Sequence, residues 1–518
     1  MTSALVIALS LAGFGLLVFG ERMGLGPQLA AYGVMAILGL TTLALAFAST
    51  SARLARFIVG RERASALGLT ALVTALVLFG LLLQPAGSRT WVQAAGLMTG
   101  LVLSYVAAPL AMWRNFVVDL ALHGDRDPGT GTRGALPVLM VCSVFLCLLT
   151  LFDQLPQTID QLAVITGGRH HRVLVVVLGL IGLVVVLGGL FGLQRIAKAL
   201  VVIAFAAAVV PAGLMLASRV LDRFDIEALR QAQASAAAAL SVRFNIDLLR
   251  EIWPAVALGI GLGITLNQPA IAIRHRVLRG SGLLVGFLLA ALLAVLIQTG
   301  QTLLKTMMAE SILAVPPSQW PLFVFDEALH GWLTVCGNMP EDALAAARAC
   351  GQATARAPLD AHRFAFEAGL DSPALALSQG WPLILGFIWA LLIPLFNICA
   401  LAFLLHAAAS GLVERILFRT LHPKALRAWR LAMVRLGLMA LLVTLYLADR
   451  KGLRLDPVFV RWALAGLTGV AIMAIVAYRF IQLMQWVRVR RQRKASPPAS
   501  EQSAIAAPQP EIEPAPAA

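Results

Sequence analysis

Long apolar runs, rather than alternation of apolar and polar positions, organise this chain. They fall near residues 3–20, 28–49, 64–84, 90–113, 134–152, 172–193, 197–218, 253–275, 280–304, 380–408, 427–448 and 458–486. Runs of about 18–28 residues are long enough to cross a bilayer as helices. Barrel strands would instead alternate with a period of about two. Lipid offers no partner to backbone N–H and C=O groups, so helices that satisfy their own are the expected elements. The pattern predicts an all-α membrane protein with about twelve spans.

The polar segments between the runs alternate in charge. Arg53, Arg56, Arg61 and Arg63 mark one basic loop, Arg195 and Lys198 a second, and Arg274, Arg276 and Arg279 a third. Arg415, Arg419, Lys424 and Arg427 mark a fourth, and Arg488 to Lys494 opens a basic tail. The opposite loops, 219–252 and 305–379, are longer and mixed in sign. Basic short loops stay on the cytoplasmic side. The expected topology therefore has cytoplasmic N- and C-termini in a bacterial inner membrane. The first run lacks a basic leader and a small-residue cleavage site, so it reads as a mature span. Residues 1–486 form the membrane domain, with 305–379 as a large periplasmic loop within it. Residues 487–518 form a basic, then disordered, Pro- and Ala-rich tail.

Composition sharpens this picture. Of 518 residues, 59% are hydrophobic and 13% charged, against about 25% charged in a soluble domain. The net charge of +15 would suggest nucleic acid in a soluble protein. Here the basic residues sit in the loops, and the expected partners are the lipid bilayer and a small-molecule solute, with no nucleic acid. There is no phosphate loop, no HExxH, no Cys/His metal spacing and no nucleophile elbow. The expectation is no enzyme, no metal site and no cofactor. The adjacent His170 and His171 read as an exposed loop end.

Glycines interrupt two runs. Gly13 and Gly15 sit midway along the first, and Gly259, Gly261 and Gly263 midway along the eighth, which also carries Asn267 and Pro269. Each glycine within a helix costs about 1 kcal/mol relative to alanine. Two readings stand side by side. Helices can break at mid-membrane to expose backbone groups to a solute, or small residues can let helices pack closely.

With these features in place the chain resembles the neurotransmitter:sodium symporters, within the amino acid–polyamine–cation superfamily. GLFGLQRIAKALVVIAFAAAVVPAGLML (190–216) looks like that family's short turn and fifth core helix, and LLREIWPAVALGIGLGITLNQ (248–268) like its broken sixth. LAGFGLLVFGERMG (11–24) looks like the first broken helix, Gly60-Arg61 like the end of the second, and QWPLFVFDEAL (319–329) like the outer loop. The resemblance implies a ten-helix inverted-repeat core plus an inserted helix pair. It also implies sodium-dependent secondary transport of an amino acid or related amine by alternating access. Gly13, Gly15, Gly259, Gly261 and Gly263 would line the substrate site, with Asn267 and Asn397 as side-chain contacts. Glu21 and Arg22 fall at the outer gate, where Glu21 also offers a protonatable group.

Departures from the family bear on coupling. Its sodium-ligating Asn is absent from VFGERM, and its hydroxyl and amide positions fall on Ala257, Leu288 to Leu292, and Ile393 with Pro394. Na+ by resemblance thus lacks its side-chain ligands, and weak sodium dependence follows. A degenerate relative acting as a membrane scaffold or sensor is the alternative. A channel would need rings of polar groups along a pore.

Cys336 and Cys350 lie in the loop expected to face an oxidising periplasm. Between them, Gly337 to Pro340 can turn the chain and DALAAARA favours a short helix, so a disulfide is expected. Cys142, Cys147 and Cys399 lie within apolar runs and read as small core residues.

Overall fold

The structure is a computed structural model. It describes residues 2–59, 99, 136–166, 168–222, 256, 316–320, 325, 328, 333–356, 364–366, 382–413 and 426–495. Within these, four helices are long and apolar enough to cross a membrane: Leu29–Ala48, His170–Ala197, Leu383–Val413 and Ala428–Arg450. Each coincides with an expected span, and the chain is an all-α membrane protein. The expected spans at 64–84, 90–113, 253–275 and 280–304 lie outside the described residues.

Helix α1 (Thr2–Arg22) and helix α2 (Pro27–Ala48) form an antiparallel hairpin. Its turn uses Gly24 at φ 94°. Small residues set the spacing along it. A Cβ on Gly33 would come within 2.5 Å of Leu17, and one on Gly13 within 3.0 Å of Ile37. Ser10 and Thr41 share a 2.5 Å hydrogen bond between the two helices. Helix α1 is continuous through Gly13 and Gly15; a break was expected here or near 256–269, and the second of these runs lies outside the described residues except for Val256. Opening α1 would strand backbone groups in lipid at several kcal/mol each, against about 1 kcal/mol for each glycine kept helical.

After a short turn comes α3 (Leu54–Val59). Helix α4 (Leu136–Thr166) extends well beyond the apolar pattern that ended at 152. Its later residues Leu155, Ile159, Leu162 and Ile165 belong to the main core. Thr150, Thr158 and Thr166 turn their hydroxyls onto the carbonyls of Leu146, Gln154 and Leu162 at 2.7–2.8 Å. That back-bonding satisfies them without loop or solvent.

Helix α5 (His170–Asp222) is two helices joined at Gly189, whose φ of 54° and ψ of −144° break the helical path. The break falls a few residues before the expected boundary between 193 and 197. Helices α7 (Leu383–Ser410), α8 (Arg427–Arg450) and α9 (Pro457–Ala495) complete the described bundle. α7 packs along α4 and α5 at the centre, flanked by α2 and α8. Glycines again set close approaches: a Cβ on Gly411 would come within 2.8 Å of Val144, and one on Gly182 within 2.8 Å of Leu442. Helix α9 continues to Ala495, past the expected span end at 486.

The segment between the spans holds the described chain's small non-helical piece. Strands β1 (Leu333–Val335) and β2 (Phe364–Phe366) pair antiparallel, with Leu333 opposite Phe366. Helix α6 (Ala343–Ala349) is capped by Asp342, whose carboxylate accepts from the Ala345 N–H at 2.6 Å. Cys336 and Cys350 are bonded, with Cα atoms 5.3 Å apart. The turn after β1 places Cys336 at φ 50° and Gly337 at φ 79°.

Candidate functional site

The centre of the bundle carries a small number of polar side chains in otherwise apolar surroundings. Asn397 lies midway along α7 with none of its surface exposed. Neither its amide nitrogen nor its carbonyl oxygen has a hydrogen-bond partner. Pro394, one turn earlier in the same helix, has no N–H for the Ala390 carbonyl. The indole N–H of Trp389, also buried, is likewise unpartnered. On α4, which packs against α7, Thr150, Gln154 and Thr158 are buried. An unmade hydrogen bond on a buried group costs about 1–3 kcal/mol. Asn397 therefore holds the most unspent polar capacity of any side chain in the described core.

Beside Gln154 stands Asp153, a half-buried carboxylate within α4. The Gln154 amide donates to Asp153 Oδ2 at 2.7 Å. The sequence pattern had placed Asp153 just outside a span that ended at residue 152. Pro156 falls in the same stretch of α4.

One end of the bundle is gathered around Glu21 and His170. Glu21, at the end of α1, accepts from the Leu383 N–H at 2.5 Å and the Ile384 N–H at 3.4 Å. α7 has no cap of its own there, since its N-cap residue is Pro382. A carboxylate on the first N–H groups of a helix is favoured both by the hydrogen bonds and by the helix dipole. Glu21 thus ties α1 to α7, while Arg22 is exposed. Nearby, His170 Nδ1 lies 2.7 Å from Asp160 and Nε2 lies 2.9 Å from Asp449. Arg454 donates to the other Asp160 oxygen at 3.1 Å. These contacts join α4, α5 and α8. They correct the reading of His170 as a plain loop end: it starts α5 and is bonded on both ring nitrogens.

The opposite end is gathered around the turn between α2 and α3. Arg195 donates to the Ala48 carbonyl at 2.8 Å and Arg435 to the Ser51 carbonyl at 2.7 Å. His406 Nε2 lies 3.1 Å from the Phe57 carbonyl, and its ring is 5.4 Å from that of Phe57. The Ser51 N–H donates to Leu187 O at 3.0 Å. Gly189 is pressed against Phe57, where a Cβ would meet the carbonyl oxygen at 2.6 Å and the ring at 2.7 Å.

Of the expected site residues, Gly13 faces Ile37 in a packing contact and Gly15 has open space around it. Asn397 is central and Glu21 lies at a helix junction. Gly259, Gly261, Gly263 and Asn267 lie outside the described residues, so the expected break in that run does too. Among the described residues no group of three or more His, Cys, Asp or Glu is arranged to hold a metal ion. The residues that sequence reasoning missed are Asp153 with Gln154, and the His170 junction. An acidic residue next to a long apolar run was the available signal for Asp153. Nothing local points to Asp449 as a partner of His170, 279 residues away.

No family model matches the chain, and no curated protein matches it. Among solved structures it is similar to a Na+-coupled sialic acid symporter, described in a substrate-bound outward-open state that reveals a novel Na+ site. That likeness has a TM-score of 0.49 at 13% identity and covers 86% of this chain and 85% of the other. At that score it carries no inference about ligand, ion or mechanism.

Proposed function

We propose that this protein is a secondary active transporter that moves a small organic solute, an amino acid or related amine, by alternating access. The observation that carries this reading is the amide of Asn397, buried midway along α7 with both its donor and its acceptor unpartnered. Such a group is stabilised by a polar ligand that completes its hydrogen bonds. Asn397 would contact the solute, as would Asn267 and the backbone at Gly259, Gly261 and Gly263. Glu21 would act as the latch that closes α1 onto α7. The termini would lie in the cytoplasm and the 305–379 loop in the periplasm. Sodium dependence would be weak, because the family's ligand positions carry no side-chain oxygen.

Ligand-induced thermal shifts test the reading on the purified full chain, with a panel of amino acids and amines, in Na+ and in K+. A ligand at 100 times its Kd adds about 2.7 kcal/mol of stability. At least one compound should raise the melting temperature, about equally in the two salts, and Asn397→Ala should remove the shift. If no compound shifts the wild type, the scaffold or sensor alternative takes its place. A steep gain with Na+ alone would overturn the weak coupling.

A further inference from the structure

An ionised side chain inside a span is costly in lipid, and such residues mark ion and proton pathways. Helix α4 packs along α7 and α5, two of the membrane-length helices. Its Asp160 sits in the polar junction with His170 and Asp449. Asp153 lies about 10 Å further along the axis, at about 1.5 Å per residue. With the edge of the hydrocarbon core at this junction, where the candidate spans end at His170 and Arg450, that is two-thirds of the way into one half of a core about 30 Å thick. Asp153 is half-buried there, beside a buried Gln154 whose amide nitrogen reaches Oδ2 at 2.7 Å.

The neighbouring amide distinguishes between cations. Na+ is a hard ion that wants several oxygen ligands, and a donor N–H on the carboxylate competes with it. A proton needs one oxygen only. The Gln154 amide carries both a donor and an acceptor. With Asp153 ionised, the NH2 group donates to the carboxylate, as observed. With Asp153 protonated, the new O–H can donate to the Gln154 oxygen after the amide turns over. Both states keep a hydrogen bond, so neither leaves a bare polar group at depth.

We propose that Asp153, with Gln154 as its reversible partner, is an intramembrane proton-uptake site. The inference rests on the transporter reading only for its purpose, which is to couple solute movement to protons. One proton from water adds to the carboxylate and leaves again to water. Glu21 is committed to capping α7, so the proton role passes to Asp153. The elements packed against α4 bring other titratable and charged groups to be controlled for. These are Cys399 and His406 on α7, His170, His171 and Arg172 at the start of α5 and Arg195 past its break, Tyr32 on α2, and Arg461 and Arg479 on α9. On α4 itself they are Cys142, Cys147 and Asp160.

The test is infrared difference spectroscopy of the purified full chain in lipid nanodiscs, stepped from about pH 5 to about pH 9. Radioactive sodium binding is measured on the same samples. The wild type should show a protonated-carboxyl C=O band that grows on acidification. Asp153→Asn should lose the amplitude of one such carboxyl with sodium binding unchanged. Gln154→Leu should keep the band but shift its frequency, because the O–H has lost the amide oxygen as an acceptor. If Asp153→Asn does not fold, the Gln154→Leu shift decides alone. Identical spectra for wild type and Asp153→Asn, an unshifted band in Gln154→Leu, or loss of sodium binding in Asp153→Asn would each overturn the proposal. The readout needs no transported solute. A failure of uptake into proteoliposomes with the band present would sink the transporter reading and leave the proton site standing.

Discussion

The two ends of the bundle are held by different physics. At the Gly189 end the contacts run to backbone: three side chains from α5, α7 and α8 reach the carbonyls of Ala48, Phe57 and Ser51. Gly188 and Gly192 bring α5 within 3.4 Å and 3.3 Å of Ser49 atoms for any added Cβ. At the Glu21 end the contacts are carboxylates meeting a histidine, an arginine and two N–H groups, and they are partly open to solvent. Side-chain exposure is 31% for His170, 43% for Asp160 and 66% for Arg454, with Asp449 alone largely covered at 10%. Backbone contacts in a close-packed place fix geometry and are costly to break. Exposed charge pairs are typically worth 0–1 kcal/mol each. The Glu21 end is thus the easier of the two to open, the asymmetry that an alternating mechanism would use first.

Substitutions can break or sharpen this contrast. The largest effect is expected from Gly189→Val. Its φ of 54° and its 2.6 Å approach to Phe57 O leave no room for a side chain. Strain and overpacking together should cost about 3 kcal/mol or more, measured by denaturant unfolding in detergent. Gly24→Ala is the matched control at the other end, also at positive φ but with open space around it. It should cost about 1 kcal/mol. Equal losses at the two positions would erase the contrast.

Next comes Arg435→Met, which keeps much of the stem over the Phe57 ring but strips the donor from Ser51 O. A loss of about 1–3 kcal/mol is expected, seen as faster hydrogen exchange at residues 50–57. Glu21→Gln should cost about 1 kcal/mol, since an amide still accepts from α7 but no longer complements its dipole. Its signature is faster exchange at Leu383 and Ile384 with the Gly189 end unchanged. The smallest effect belongs to His170→Gln, at most about 1 kcal/mol and shrinking as salt is added. A loss at His170 larger than that at Arg435 would reverse the comparison.

Much of the fold was legible because lipid imposes one simple rule, that long apolar runs become helices. Four such runs match helices of the structure closely. The disulfide was legible too, since DALAAARA favoured a short helix and Gly337 to Pro340 could turn the chain. Three features were hidden for identifiable reasons. The second half of α4 looked like a loop because its threonine and glutamine content reads as polar. That content is tolerated because the hydroxyls bond back to their own helix. The break in α5 lies at Gly189 because a close approach to Phe57 fixes it, and no local pattern separates Gly189 from Gly188 or Gly192. Gly13 suggested an opening and instead accommodates Ile37, because single glycines look alike whether they serve packing or unwinding. In the candidate site, Asn397 was reached through the resemblance, which places it one turn after Ile393 and Pro394. The pairing of His170 with Asp449 is made only when distant helices meet.

Helix α9 has a mechanical consequence. At 39 residues it is about 58 Å long, so crossing a bilayer core of about 30 Å, as its expected span would, would leave some 28 Å as a rigid arm. The arm ends in the arginines at 488, 490, 491 and 493. A tilt of about 10° at the membrane would sweep its tip through about 5 Å. A small rearrangement among buried helices would thereby become a displacement that a spin label or fluorophore at residue 491 could follow directly.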